Sequence, residues 1–434
     1  MTARLASPPP GWDELAAESG LGLLALAAKL VDSGLSLDEA GRRLRADGPG
    51  AAHPDLIAAV LTVTGLRAKA AAKFGEHARR MLFTQAGLEQ ASRLVVADLH
   101  ARRFADAGCT GVADLGCGLG AESLAFLRAG LAVRAVELDP LTAEFAAHNL
   151  AVQAEELGDA SAHGAPRFEV LVGDAAELGP GECDGVFLDP ARRTAGHRDT
   201  RRLNSASDYS PSLGFAFDAA RAARAGGVKL GPGFDRELIP EEAEAQWVSV
   251  DGQLVETGLW FGSAARPGVR RAATVLARRG VAPGTGTAAG GIAVRDAHEL
   301  LAAEDAPDAE VRALGEYLVE PDGAVIRARL IGLLAAQLDA GMIHPGIAYL
   351  TADRMPETPF GQIFRIVEEL PAREKDLRRA LAARGIGSLE IKKRGSDVDP
   401  AALRARLRLA GDTAATLILS RSAGRHVALL AERW

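Results

Sequence analysis

Apolar residues recur at three- and four-residue spacing through residues 13–105, which predicts a helical opening to the chain. Ser36-Leu-Asp-Glu39 has the spacing of a capping box, where a hydroxyl and a carboxylate satisfy free amides of the first helical turn. Pro54 stands near the start of a second helix whose apolar face carries Leu56, Ile57, Val60 and Leu61. Leu88, Ala91, Leu94, Val95 and Leu99 keep the helical spacing. From about residue 106 the pattern alternates between short apolar runs and helical stretches. Strands are expected at 112–115, 132–136, 168–172, 185–188 and 227–230, and helices at 121–129 and 141–151. Such alternation predicts an α/β fold with a doubly wound parallel sheet. Runs at 246–250, 253–260 and 272–277 follow, the first two joined by Asp251-Gly252. Both positions tolerate positive φ, so a hairpin is expected and the sheet should end in antiparallel strands.

Residues 280–291 hold Pro283 and five glycines and read as a flexible linker. Beyond it, strands are expected at 388–392, 415–421 and 426–431, the last two turning at Ser422-Ala-Gly424, with helices at 325–338 and 400–407. The expected organisation is a helical domain over residues 1–105 and a Rossmann-like domain over 106–279. A linker over 280–309 and a small α+β domain over 310–434 complete it.

Composition narrows the classes. The chain has 434 residues, 48% hydrophobic and 25% charged, which is ordinary for globular domains. A net charge of −7 argues against a uniformly basic nucleic-acid binder but leaves room for a basic patch. Cys109, Cys117 and Cys183 form no Cys-x-x-Cys pair, so neither a disulfide framework nor a metal site is expected. No signal peptide is visible, and the apolar run at 21–31 is broken by Gly22 and Lys29 and too short to span a bilayer. A soluble cytoplasmic protein is expected.

The strongest motif is Asp114-x-Gly116-x-Gly118-x-Gly120, between a strand and a helix. Glycines let the backbone approach a ligand closely, and the amides that open the following helix suit a carboxylate. Glu137 ends the next strand about 20 residues on, where a carboxylate bridges ribose hydroxyls, with Asp139 as the alternative. Asp174 follows the third strand, placed to accept from an adenine amine. Gly116-x-Gly118-x-x-Ala121 also fits a dinucleotide fingerprint. Asp114, suited to an ammonium, Gly120 and a later Asp-Pro segment favour S-adenosylmethionine over a dinucleotide.

That segment is Asp189-Pro190-Ala-Arg192, directly after a strand. Methyl transfer needs the acceptor held in line with the methyl. The Asp189 carboxylate and the Pro190 carbonyl could both accept from an amino group, although a plain strand-ending turn gives the same residues. Methylation at a pyrimidine carbon requires a cysteine nucleophile. No cysteine follows Cys183, so a nitrogen acceptor is preferred. Arg192, Arg193, Arg198, Arg201 and Arg202 either hold substrate phosphates or form a solvated loop. Lys229 could meet a phosphate or stand solvated at a strand end, and Phe234 could stack on a base or pack in the core.

The whole set resembles the class I, Rossmann-fold S-adenosylmethionine-dependent methyltransferases, and within them the bacterial group with a C-terminal THUMP-like domain. The closer match rests on Leu88-Glu-Gln-Ala-Ser92, Asp189-Pro-Ala-Arg-Arg193, Lys229-Leu-Gly-Pro-Gly-Phe-Asp235, Trp247-Val-Ser-Val250 and Ile391-Lys-Lys-Arg-Gly395. The resemblance implies an RNA substrate, tRNA or rRNA, because THUMP domains in other enzymes bind RNA. The Asp-Pro-Pro of amino-group methyltransferases reads Asp-Pro-Ala here. Residues 373–408 carry eleven basic and five acidic side chains, including Lys392, Lys393 and Arg394. This excess suits either a phosphate backbone or the solvated faces of two helices. Methylation of a protein or small molecule, or RNA binding with a vestigial cofactor site, are the alternatives.

Overall fold

A computed structural model describes residues 8–47, 53–158, 167–192, 209–278 and 295–434. The expected linker at 280–291 and Arg193, Arg198, Arg201 and Arg202 lie outside these residues.

The helical opening comprises α1 (Glu18–Asp32), α2 (Leu37–Asp47), α3 (Pro54–Phe74), α4 (Gln85–Gln90) and α5 (Leu94–Asp106). The capping box forms: the Ser36 amide donates to Glu39 Oε2 at 2.9 Å and the Glu39 amide to Ser36 Oγ at 3.3 Å. Between α4 and α5 the chain extends, with Ala91 at ψ 138° and Arg93 at ψ 134°. These helices share a core with the sheet beside them. Phe104 on α5 meets Phe126 edge-on at 5.4 Å and also packs against Phe187 and Trp260. Burying an aromatic ring of this size contributes about 1.5–3 kcal/mol.

The next part runs β1 (Gly111–Leu115), α6 (Ala121–Arg128), β2 (Ala132–Glu137), α7 (Pro140–Leu157), β3 (Phe168–Val172), α8 (Ala175–Leu178) and β4 (Gly185–Leu188). A two-stranded ribbon of β5 (Ala191–Arg192) and β6 (Tyr209–Ser210) precedes α9 (Leu213–Ala222) and β7 (Ala225–Leu230). Then come β8 (Glu244–Val250), β9 (Gln253–Gly262), β10 (Arg271–Arg278) and β11 (Arg295–Ala302). Together nine strands form one sheet in the order β11-β10-β8-β9-β7-β4-β1-β2-β3. The strands from β3 to β7 are parallel, and β9 runs antiparallel to β7 and β8. The expected hairpin forms, with Asp251 at φ 52° and Gly252 at φ 78°. Two expectations change. β10 lies parallel to β8, and β11, inside the stretch expected as linker, closes the sheet edge against β10.

A second sheet follows. It is built from β12 (Tyr317–Pro321), β13 (Gly341–Met342), β14 (Leu350–Ala352), β15 (Gly361–Leu370), β16 (Ile386–Lys393), β17 (Thr413–Ser422) and β18 (Arg425–Arg433). The helix expected at 325–338 is two, α10 (Gly323–Arg327) and α11 (Ile331–Gln337), parted by Arg329 at φ 59°. Val325 and Leu334 from this pair are buried in the same cluster as Trp247 and Phe261 of the first sheet. The two sheets therefore share a core. Two further helices, α12 (Glu374–Ala383) and α13 (Pro400–Leu407), cover the second sheet, burying Leu377, Leu381, Leu403 and Leu407.

Candidate active site

The carboxyl ends of β1, β2, β4 and β7 open on a cavity of about 840 Å³. Parallel pairing sets what meets there. Leu115 stands beside both Val136 and Leu188, and Leu188 beside Val228, so the residues after each strand converge.

The glycine loop is pinned to β2 by Gly116 and Cys117 amides, which donate to the Val136 carbonyl at 2.8 and 3.0 Å. Gly116 and Gly118 have φ of 93° and 55°, and a β-carbon at either would meet no atom within 4 Å. Both line the cavity, so the loop is a cradle whose missing side chains leave room for a ligand. Gly120, at φ 84°, turns the chain into α6.

Glu137 is fixed by backbone amides, Gly118 N donating to Oε2 at 2.9 Å and Asp139 N to Oε1 at 3.0 Å, and it lines the cavity. Asp139, the alternative ribose partner, does not line it; its carboxylate caps α7, accepting from the Thr142 amide at 2.8 Å. Asp174 lines the cavity while also capping α8 through the Ala176 amide at 2.8 Å. Asp114 is buried and accepts from Ser123 Oγ at 2.6 Å. Burial, reinforced by the Glu122 charge, pushes its carboxyl up to about 8.

Asp189 and Pro190 line the same cavity. Lys229, read from sequence as a phosphate contact or a solvated lysine, is only 12% exposed and forms an ion pair with Asp189 Oδ2. Desolvation opposes its charge, but Asp189, Glu122 and Glu256 outweigh that and raise its pKa. Burial raises the Asp189 carboxyl in spite of the Lys229 ammonium. Phe234 does not reach the cavity; it is 1% exposed and packs against Tyr209 with ring centroids 6.4 Å apart. Of the two readings its sequence position left open, base stacking and core packing, its burial fits packing. Arg192 contributes its backbone to β5, and Arg193 lies outside the described residues.

A buried polar chain that sequence reasoning missed stands beside the cavity. Glu122, in the first turn of α6, lines it and accepts from Ser92 Oγ. His100 Nδ1 lies 3.6 Å from Glu122, and Nε2 lies 2.6 Å from Glu256 on β9. Burial alone would lower the His100 pKa, but these carboxylates push it up to about 9. Glu122 shows the converse: burial would raise it, yet Lys229, His100 and Ser92 hold it at about 2. Gly87, Gln90 and Ala91 add a wall from the helical part, held by Lys73, whose Nζ donates to the Leu88, Glu89 and Ala91 carbonyls. The Leu88-Glu-Gln-Ala-Ser92 motif was the only sequence signal for this wall. An acidic first-turn residue such as Glu122 is too common to stand out.

In the second sheet Lys392 pairs with Glu320 at 2.6 Å, and Arg394 lies 3.6 Å from Glu320 with its guanidinium 5.4 Å from the Tyr349 ring centre. Those two charges are spent inside the fold, while Lys393 is exposed. Among the described residues no cluster suited to a metal occurs, and no helix is long and apolar enough to cross a membrane.

Comparison with known proteins agrees with this geometry. Residues 361–433 match the THUMP domain-like family. The chain is 36% identical over 373 residues to an uncharacterized S-adenosylmethionine-dependent methyltransferase found in two Mycobacterium tuberculosis strains, CDC 1551 and H37Rv, covering 83% of this chain and 92% of that protein. A crystal structure assigned as a methyltransferase, from Porphyromonas gingivalis W83, aligns with a TM-score of 0.69 at 22% identity, covering 95% of this chain and 98% of that one. With its glycine cradle and acidic strand ends in one cavity, the chain belongs to the class I S-adenosylmethionine-dependent methyltransferases, with a C-terminal THUMP-like domain.

Proposed function

We propose that this enzyme methylates RNA, tRNA or rRNA, at a nitrogen of a base. The observation that carries the reading is that Asp189 and Pro190 share one cavity with the glycine cradle. When bound, S-adenosylmethionine supplies a methyl group on a positively charged sulfur. The residues present suit it: the Gly116 and Gly118 backbone and the opening amides of α6 for its carboxylate, and Asp114 for its ammonium. Glu137 suits its ribose hydroxyls, and Asp174 its adenine amine. Asp189 and the Pro190 carbonyl then orient the acceptor nitrogen, and positioning of this kind is worth roughly 7–11 kcal/mol of barrier.

The RNA part of the proposal is supported by the THUMP-like match and by charge. Lys375, Arg378 and Arg379 on α12 and Arg404, Arg406 and Arg408 at α13 are exposed. Arg406 pairs with Glu374 at 3.0 Å and so ties the two helices into one basic face. Mass spectrometry of nucleosides from wild-type and deletion cells should show one methylated base missing from the deletion, restored by the purified enzyme in vitro. Unchanged RNA, with label entering a protein or small molecule, would overturn the RNA reading.

A further inference from the structure

The Asp189–Lys229 pair is unexpected at a site that merely orients an amine. An exocyclic amine acquires positive charge as it attacks a methyl group, and a fixed ammonium beside it opposes that development. Acceptors alone would serve such a nitrogen. Here the acceptor Asp189 is joined by a donor with three N–H groups, one of them used on Asp189. The remaining oxygen, Asp189 Oδ1, accepts no hydrogen bond among the described residues. Both side chains line the cavity beside the glycine cradle, because β4 lies between β1 and β7. Glu122 and Glu256, tied to Ser92 and His100, keep Lys229 charged.

Resting on the RNA reading above, we propose that the acceptor is the lactam edge of guanine or uracil, a ring N–H beside a carbonyl, and that this ring nitrogen is methylated. The lone pair of such a nitrogen is delocalised into the carbonyl and attacks poorly until the proton leaves. Asp189 takes that proton as the N–H bond breaks, and Lys229 donates to the carbonyl oxygen on which negative charge collects. The freed nitrogen pair forms the bond to the methyl carbon, whose former bonding pair stays with sulfur as a neutral thioether. The base ends neutral, and the proton on Asp189 passes to water.

The test uses the full-length enzyme, S-adenosylmethionine labelled in the methyl group, and RNA from deletion cells. Label in 1-methylguanosine or 3-methyluridine is expected. Label in an exocyclic amine, in another ring nitrogen or on a ribose oxygen overturns the lactam assignment while leaving RNA methylation intact. Absence of label in any RNA overturns the RNA reading itself, and this proposal with it. Lys229→Met and Asp189→Asn supply a second readout. Each should lower kcat at neutral pH by roughly 100-fold or more, the usual scale of acid–base assistance. Each should then recover about tenfold per pH unit as the base ionises unaided. Calorimetric binding of S-adenosylmethionine checks that the variants are folded. A folded Lys229→Met enzyme with a flat pH profile would sink the role assigned to Lys229.

Discussion

An aspartate just past one strand and a lysine near the end of its parallel neighbour come within reach of each other when the strands are in register, and Leu188 of β4 pairs with Val228 of β7, one residue before each. Lys229 is thereby drawn off the surface, and its desolvation is offset by Asp189, Glu122 and Glu256. Asp114 is the opposite case, a buried carboxyl with a hydroxyl donor but, among the described residues, no cation bonded to it. A ligand ammonium would fill that position. Asp114→Asn is therefore expected to weaken S-adenosylmethionine binding about 10- to 100-fold in calorimetry, since hydrogen bonds to charged groups contribute about 1.5–3 kcal/mol. Unchanged affinity would remove Asp114 from the site.

At the scale of elements, the helical opening is fastened to the catalytic sheet by buried charge. Glu244 on β8 is fully buried and receives both guanidinium ends of Arg103 from α5, at 2.6 and 2.9 Å, and three nitrogens of Arg266. Glu244→Ala would leave Arg103 without a carboxylate and Arg266 with Glu299 alone, and should cost about 3–5 kcal/mol in urea unfolding. His100 fastens α5 to β9, and its pKa, raised from 6.5 to about 9, sets a direction. Its stabilising contribution is complete below pH 6.5 and is lost as pH climbs through about 9. The melting-temperature gap between wild type and His100→Gln should narrow over that window; a gap constant with pH would contradict the ion pair. Lys73 acts on α4 and the residue that follows it. Lys73→Met should raise the KM for RNA or cofactor more than it lowers stability, because the Gly87–Ala91 wall is a short turn held by three carbonyl bonds.

The molecule as a whole is acidic, yet α12 and α13 present exposed arginines. RNA affinity measured by filter binding should fall steeply with salt. Charge reversal at Lys375, Arg378 and Arg379 should weaken it and leave the melting temperature nearly unchanged. Lys392→Glu should do the reverse, lowering stability first, because Lys392 neutralises Glu320 within the fold. Equal loss of RNA binding from both sets, at equal stability, would place the docking face on β16 instead.

Much of this was legible from local chemistry alone. Positive φ at Asp251 and Gly252, the capping box at Ser36 and Glu39, the alternation of the parallel strands and the glycine loop depend on neighbours within a few residues. The cofactor class followed from them, since the loop and its acidic partners recur at set intervals along βαβ units. Other features depended on contacts between distant segments. Glu122, His100 and Glu256 meet only because α5 packs across the sheet, and Phe234 enters the core because Tyr209 covers it. β11 joins the sheet because β10 offers an open edge, which no pattern within residues 280–309 announces. The sequence by itself determined the fold class and the cofactor, through short-range periodicity and backbone conformation. Tertiary structure decided which charges are free to do chemistry, because burial and pairing between distant strands, not residue type, set Lys229 beside Asp189 at the cavity and Lys392 against Glu320 within the fold.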